Sequence, residues 1–238
     1  MNSVAMPVAR RAGRLARIGQ RLREHGVGPP LRKAFADFIF RASTSVILEY
    51  RPGDHRVGAN AEIPAWLSFM VLRNGDTVPP LCDWMAHRRD AFAAMLANGK
   101  IGIFALYEGV AVGCAWIALS DHHDPESREF YRVPPGEAYH YCWMIDPSVR
   151  RRNIGLPLCR YVMKTLGDMG IQRQFGVVDR ANRASYKIQS HFGYTECGVK
   201  VMHYCILGTR WTRIGRYQGV LGTTTPGKAE RARLAQTA

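Results

Sequence analysis

The chain has 238 residues, 47% of them hydrophobic, and carries a formal net charge of +14 at pH 7. The length and the apolar content allow one globular domain with extensions and exclude a chain that is disordered throughout. The positive charge favours an anionic partner, such as nucleic acid, an acidic membrane surface or a phosphorylated small molecule.

Neither the cysteines nor the apolar runs indicate a secreted or membrane-spanning protein. The six cysteines have no Cys-x-x-Cys spacing and lie mostly in apolar surroundings, so we expect them to be reduced and buried. No apolar run reaches the roughly 18 residues of a membrane-spanning helix. We therefore expect a cytoplasmic protein, although the Arg- and Ala-rich residues 1–23 also have the composition of a mitochondrial transit peptide.

The first predicted element is a basic amphipathic helix over residues 8–24, with apolar residues at helical spacing and arginines mostly on other faces. A second helical pattern follows, so we predict a basic helical arm over residues 1–42. Residues 8–42 could contact the inner face of a membrane peripherally or pack on a second copy of the chain. Nucleic acid is less favoured as a partner, because the chain has no basic stripe interleaved with aromatic residues.

A mixed α/β domain is predicted over residues 43–207, followed by a basic, disordered tail over residues 208–238. Strands are predicted at 45–52, 101–109, 110–119, 138–146, 172–179 and 194–207. Helices are predicted at 63–74, 79–99, 153–170 and 182–192. The polar loop at 121–137 is expected to form part of a ligand pocket rather than a metal site, because its histidines are adjacent and lack a second ligand pair.

The most informative stretch joins the strand at 138–146 to the helix that follows it. The first amides of a helix have no internal partner and, with the helix dipole, form an anion site. Asn153 tolerates the left-handed backbone that such a turn needs, and Gly155 permits close approach. Three consecutive arginines add charge that can pair with phosphate, although alone they would also suit a solvated patch: Arg150, Arg151 and Arg152.

In this context the chain resembles the GCN5-related N-acetyltransferase (GNAT) superfamily. That family binds acyl-CoA through Arg/Gln-x-x-Gly-x-Gly/Ala between its fourth strand and third helix, which corresponds to residues 150–155 here. Its later Asn, small residue and Gly-aromatic pair correspond to Asn182, Ser185 and residues 193–194. The resemblance covers residues 43–207, with Asn153 in place of the first glycine.

The resemblance implies an α/β fold with a central twisted mixed sheet, flanking helices and splayed parallel strands at 138–146 and 172–179. It also implies an enzyme that transfers acetyl from acetyl-CoA, or another acyl group from its acyl-CoA, directly to an amine, without a metal. The acceptor could be an amino sugar, a small amine or a protein amine. The implied cofactor-binding residues are Met144, Ile145, Arg150, Arg151, Arg152, Asn153, Ile154, Gly155, Leu156, Asn182, Ser185 and Gln189.

Such a reaction needs a base that takes a proton from the acceptor amine. The candidates are His140, which titrates in a suitable range, and Glu137. Tyr186 is the candidate acid for the leaving thiolate, because Gln189 stands where the family often has a tyrosine. That departure leaves open a non-catalytic module that binds CoA or a partner. The basic arm leaves open a second alternative, an acyltransferase that uses a longer acyl-CoA or an acyl carrier protein near a membrane.

Overall fold

The structure, a computed structural model, describes residues 40–52, 63–124, 129–207 and 209–222. The strands are β1 (Phe40–Tyr50), β2 (Leu67–Leu72), β3 (Ile101–Tyr107), β4 (Val110–Ala118), β5 (His122–Asp124), β6 (Glu129–Tyr131), β7 (Glu137–Ile145), β8 (Arg173–Asp179), β9 (Thr195–Ile206) and β10 (Thr209–Arg216). The helices are α1 (Asp83–Ala86), α2 (Arg89–Ala97), α3 (Gly155–Asp168) and α4 (Arg183–His191), with a 3-10 helix at Pro147–Arg152.

Eight of these strands form one mixed sheet in the order β10-β9-β1-β8-β7-β4-β3-β2, and β5 and β6 form a separate hairpin. Only β7 and β8 are paired in parallel among the described strands. Strand β1 lies in the interior of the sheet, antiparallel to both β8 and β9. The sequence does not predict this order, because it inserts the first strand between two of the last.

Helices cover the sheet because each buries an apolar stripe against it. In α3 the side chains of Leu158, Val162 and Leu166 recur every four residues and pack in one cluster with apolar side chains of β3 and β4. In α2, Phe92 and Leu96 pack in a different cluster with side chains of the same two strands. The predicted mixed sheet flanked by helices is confirmed. No described helix is long and apolar enough to cross a membrane.

The two parallel strands are paired at one end only. Their register runs from Glu137 opposite Arg173 to His140 opposite Gly176 and then stops. At the paired end, Arg173 bridges Glu137 at 2.5 Å and Glu49 of β1 at 2.7 Å. Beyond the last rung, β7 carries an irregularity opposite β4. The splayed parallel strands expected from the resemblance are therefore present, and a gap opens between their carboxyl ends.

The helix predicted at residues 63–74 is wrong, because Leu67–Leu72 form the edge strand β2. Exposure alternates along its first residues, with Leu67 buried, Ser68 exposed and Phe69 partly buried. That period of two is typical of a strand, but a short apolar run fits either periodicity. Pairing with β3 decides the outcome.

The ends of the predicted domain also differ from the structure. The helical prediction fails for residues 40–42, which begin β1, and the prediction of a disordered tail fails for Thr209–Arg216, which form β10. Both strands pair with β9, and this ladder stabilises segments whose local composition is polar and basic. The predicted loop at 121–137 contains the β5–β6 hairpin. The rest of the arm and of the tail lies outside the described residues.

We expect Gly176→Ala to destabilise the fold, because an added Cβ would lie 2.3 Å from Cε1 of the buried His140 ring. The free energy of unfolding should fall by about 1–3 kcal/mol. Gly167→Ala is the matched control, since nothing lies within 4 Å of its added Cβ in α3, and it should raise stability by about 0.5–1 kcal/mol. Urea unfolding followed by circular dichroism measures both changes. Equal stability of the two variants would contradict the close packing of His140 on Gly176.

Candidate functional site

A cleft of about 950 Å³ lies where β7 and β8 separate. Helix α4 lines one side, and α2 with the β5–β6 hairpin lines another. Residues of β1, β9 and β10 complete it beyond β8. The cleft therefore joins elements from both ends of the described chain.

The polar face of α4 lies along the cleft as predicted. Asn182, Ser185 and Gln189 are spaced three and four residues apart, so they share one face of the helix, and all three line the cleft. The Asn182 side chain caps α4 by accepting from the Ser185 amide at 3.2 Å, and Gln189 donates to the Ser185 hydroxyl at 3.3 Å. Among the described residues, the buried Oε1 of Gln189 has no hydrogen-bond partner. This face therefore offers both donors and acceptors to a bound ligand.

The turn before α3 has the backbone expected for an anion site. Asn153 adopts the left-handed conformation, with φ 57° and ψ 28°. Its amide and that of Leu156 bond within the turn, whereas Ile154 and Gly155 begin the helix, where amides have no helical acceptor. A Cβ on Gly155 would lie 2.8 Å from the end of the Ile188 side chain, so glycine lets α3 approach α4 closely. Cofactor binding by residues 152–156 stays a prediction.

The three arginines diverge instead of forming one cluster. Arg150 donates through Nε to the carbonyl of Ile145 at 3.3 Å. The Arg152 guanidinium lies 4.8 Å from the Tyr107 ring centroid and 5.7 Å from that of Trp66, which are cation–π distances. The side chain of Arg152 is therefore held against aromatic rings beside β2 and β3, while Arg151 is exposed to solvent.

The two backbone amides predicted at the end of β7 point in opposite directions. Asp146 donates its amide to the carbonyl of Val112 on β4 at 2.8 Å. Successive amides of a strand point to opposite edges, so the amide of Ile145 faces the gap and that of Met144 faces β4. Of the two, Ile145 alone has an amide placed to bind a ligand in the gap.

His140 lines the cleft but is poorly suited to act as a base. It is 2% exposed, and Nε1 of Trp143 donates to its Nδ1 at 3.0 Å. A neutral imidazole that accepts at Nδ1 carries its proton on Nε2, so neither nitrogen has a free lone pair. Burial also lowers the pKa of His140 to about 3. The geometry therefore speaks against the predicted role of His140 as the general base.

The other two predicted catalytic side chains are directed away from the cleft. Glu137 lies at the paired end of β7 and forms an ion pair with Arg173, which neutralises it. Tyr186 is buried and donates its hydroxyl to Glu196 at 2.8 Å, and burial together with that carboxylate raises the pKa of Tyr186 to about 12. Neither side chain lines the cleft. The predicted base Glu137 and the predicted acid Tyr186 are therefore not placed to act there.

An unpredicted chain of polar contacts does line the cleft. His203 on β9 places Nε2 2.9 Å from Oγ of Ser45 on β1. Its Nδ1 lies 2.5 Å from Oε1 of Glu129 on β6, an ion-pair contact without the alignment of a straight hydrogen bond. Oε2 of Glu129 accepts from the hydroxyl of Tyr131. The sequence gives one weak signal for this group, because His203 shares a strand face with the buried Val201 and Cys205.

Aromatic rings form a second wall of the cleft. Tyr131 and Tyr139 stack with ring centroids 4.5 Å apart, Tyr139 and Tyr141 at 5.4 Å, and His122 lies 4.2 Å from Tyr141. The region of the predicted loop at 121–137 therefore contributes to the cleft, as expected for a ligand pocket. In the described part of the chain, no three or more His, Cys, Asp or Glu side chains are arranged to hold a metal.

Comparison with known proteins gives one family match. The model described as the Acetyltransferase (GNAT) family matches residues 66–194. A search among curated proteins found no match.

Three solved structures are similar to this chain at low sequence identity. A GCN5-related N-acetyltransferase from Kribbella flavida has 16% identity and a TM-score of 0.43, covering 80% of this chain and 65% of that one. Another from Sphaerobacter thermophilus has 14% identity and a TM-score of 0.43, covering 84% and 60%. An aminoglycoside acetyltransferase from an uncultured soil metagenomic sample has 16% identity and a TM-score of 0.38, covering 56% and 90%. This chain thus spans less than two thirds of the length of the first two proteins.

The buried imidazole should make stability depend on pH. Unfolding returns the pKa of His140 from about 3 to near its ordinary value of about 6.5, so between these values the unfolded chain binds an extra proton. The free energy of unfolding should fall as the pH falls through this window, by at most about 1.4 kcal/mol per pH unit from this residue. His140→Gln, which can still accept from Trp143 but does not titrate, should lose less stability on acidification.

Urea unfolding at several pH values between neutrality and mild acid measures this difference. His123→Gln is the matched control, because it makes the same substitution at an exposed histidine. An identical loss on acidification in the wild type and in His140→Gln would show that His140 is not buried in its neutral form.

Proposed function

Since the chain belongs to the GNAT acetyltransferase family, whose model matches residues 66–194, we propose that it transfers an acetyl group from acetyl-CoA directly to an amine acceptor. One observation supports the proposal: the pairing of β7 with β8 ends at His140, and β7 then leads to the left-handed turn at Asn153, where Gly155 packs on Ile145 of β7 and Ile188 of α4. A helix start suits the phosphates of a nucleotide, and a gap between strands suits an extended arm.

The residues around the gap fit the chemical parts of acetyl-CoA. The amides of Ile154 and Gly155 would bind the pyrophosphate, with Arg150 and Arg151 adding positive charge nearby. The amide of Ile145 would donate to the pantetheine arm or to the thioester carbonyl, where negative charge develops during acyl transfer. Arg152 is left out of this set because its guanidinium lies against Trp66 and Tyr107. Acetyl-CoA supplies the activated acyl thioester.

Helix α4 would hold the arm from the opposite side. Asn182, Ser185 and Gln189 present amide and hydroxyl groups to the cleft, and the orphaned Oε1 of Gln189 could accept from an amide of the arm. A carboxamide does not act as an acid, and Tyr186 donates to Glu196 instead. We therefore propose that the thiolate leaves without a tyrosine acid and takes its proton from the amine or from solvent.

The acceptor would occupy the other half of the cleft, between the aromatic wall and strands β1, β9 and β10. Polar side chains alternate there with aromatic rings, which suits a polar amine such as an amino sugar, a small amine or a protein amine. We propose a cytoplasmic enzyme with residues 43–207 as its core domain. Contact of residues 8–42 with a membrane or with a second copy also remains a proposal, because residues 8–39 lie outside the described residues.

Calorimetric titration with acetyl-CoA tests the proposal, and two variants at one position test the turn. Asn153→Val places a β-branched residue in a left-handed backbone, which costs about 1–2 kcal/mol, so acetyl-CoA affinity should fall about tenfold. Asn153→Gly keeps the backbone accessible and should bind as the wild type does. Acetyl-pantetheine lacks the pyrophosphate, so its affinity should not differ between the two variants.

Absence of acetyl-CoA binding by the wild type at high micromolar concentration would overturn the proposal. Equal binding of acetyl-CoA by Asn153→Val and Asn153→Gly would instead remove the turn from the binding site. Comparing acetyl-CoA with longer acyl-CoA donors and an acyl carrier protein in one transfer assay decides the donor. Binding of CoA without acylation of any amine in a broad panel would favour a non-catalytic module.

A further inference from the structure

We propose that Glu129, His203 and Ser45 form a proton relay that takes the proton from the acceptor amine. This inference rests on the proposed acetyl transfer and adds to it the base that His140 and Glu137 do not provide. The three side chains come from β6, β9 and β1, and all three line the cleft.

The contacts suit one tautomer of His203. Oε1 of Glu129 lies 2.5 Å from Nδ1 of His203, so the relay assigns the proton of the neutral imidazole to Nδ1, the nitrogen that faces the carboxylate. The lone pair on Nε2 then faces Oγ of Ser45 at 2.9 Å and accepts from its hydroxyl. Tyr131 donates to the other oxygen of Glu129 and orients the carboxylate. In this arrangement a proton that passes through Ser45 would reach Nε2 of His203, on the ring whose other nitrogen lies beside the Glu129 carboxylate.

The sheet register brings this unit close to the gap. Ser45 pairs with Asp179, the last residue of β8, in the segment beyond the last β7–β8 rung at Gly176. Ser45 is thus one strand spacing, about 4.8 Å, from β8, and the gap lies along the opposite edge of β8. His203 pairs with Ser43 and reaches Ser45 as a diagonal cross-strand neighbour. An amine held against Ser45 would approach a thioester in the gap from the acceptor side.

Other imidazoles on the cleft are less suited to this role. Four histidines line the cleft in the described residues, and His203 has a ring nitrogen 2.5 Å from a carboxylate oxygen of Glu129. The Nδ1 lone pair of His140 is occupied by Trp143. His122 packs on Tyr141, and burial, with a smaller contribution from Lys100, lowers its pKa. His123 is exposed.

The proposed reaction consists of one proton transfer through the relay, followed by acyl transfer. The acceptor ammonium gives a proton to Oγ of Ser45 as the Ser45 hydroxyl proton passes to Nε2 of His203. The neutral nitrogen then forms the C–N bond with the acyl carbon, and the C–S bond breaks to release the thiolate. The second proton of the nitrogen goes to the thiolate directly or through solvent, and His203 returns its proton to water.

The position of Ser45 argues for a relay rather than for a nucleophile. Strand β1 is interior, and its amides are engaged with β8 and β9 on either side. A nucleophilic serine needs free amides directed at the developing oxyanion, whereas a proton relay needs hydrogen bonds alone. Ser45 is also 4% exposed, which restricts attack on a bulky thioester.

Steady-state acetyl transfer by matched variants tests the relay. His203→Ala should lower kcat by about 10²–10⁴-fold with little change in acetyl-CoA affinity, and added imidazole should restore part of kcat. Ser45→Ala and Glu129→Gln should lower kcat less. The controls are His87→Ala and Ser68→Ala, which remove an exposed imidazole and an exposed hydroxyl that do not line the cleft and should leave kcat near the wild-type value.

The outcomes separate this inference from the proposed function. Wild-type kcat in His203→Ala, or a loss that imidazole does not restore while acetyl-CoA still binds, would overturn the relay alone. An acetyl adduct on Ser45 in the intact mass after incubation with acetyl-CoA would also overturn it, because Oγ would then form the bond. Failure of the wild type to bind acetyl-CoA would overturn the proposed function.

A measurement without substrate keeps the relay testable if His203→Ala does not fold. Nitrogen-15 NMR of histidine-labelled wild-type protein reports which ring nitrogen carries the proton. The relay requires a neutral His203 that carries its proton on Nδ1 and none on Nε2, and the His203→Gln spectrum assigns its signals. A neutral His203 with its proton on Nε2 would overturn the relay.

Discussion

The cleft depends on one constraint, which is that the pairing of β7 with β8 ends at His140 and Gly176. At one end of the two strands, Arg173 of β8 forms ion pairs with Glu49 of β1 and Glu137 of β7, which hold the three strands together. Its guanidinium also lies 4.7 Å from the centroid of the Phe175 ring. At the other end, Cys142 adopts a positive φ of 50° and β7 is irregular against β4. The strands therefore separate at a fixed place, and a buried His140 ring stacked on a glycine marks that place.

Both ligand-facing walls follow from this separation. On one side, β7 runs into the turn at Asn153, so a free strand edge and a helix start adjoin each other. On the other side, β8 leads through a short connection to the Asn182 cap of α4, so the polar face of that helix lies across the gap. A gap with donors on both sides can bind an extended polar chain along its length, whereas a fully paired sheet would leave these amides engaged.

Local signals made the turn before α3 and the polar face of α4 predictable, whereas long-range pairing hid the rest of the proposed site. The left-handed Asn153, the cap at Asn182 and the helical face through Gln189 each depend on neighbours a few residues apart, which a sequence displays. The roles of His140, Glu137 and Tyr186 depend on where their side chains point and on partners such as Trp143, Arg173 and Glu196. No local pattern specifies those partners, and none brings Ser45, Glu129 and His203 together from three separate strands. Strand β2 was ambiguous for another reason, because a run of six mostly apolar residues fits the periodicity of a helix as well as that of a strand.

The predicted donor-binding residues and the proposed relay also differ in their relation to the family match. The predicted donor-binding residues, from Met144 to Leu156 and from Asn182 to Gln189, all fall within the matched residues 66–194. Ser45 and His203 fall outside it, on strands β1 and β9, and only Glu129 of the relay lies inside. Strand β1, which begins at residue 40 and precedes the matched residues, lies in the interior of the sheet. The chain from residue 40 onward is therefore part of the domain and not a separate arm. Under the proposed function, the strands outside the match would supply the surface that meets the acceptor, and differences there would change acceptor choice without altering the proposed donor site.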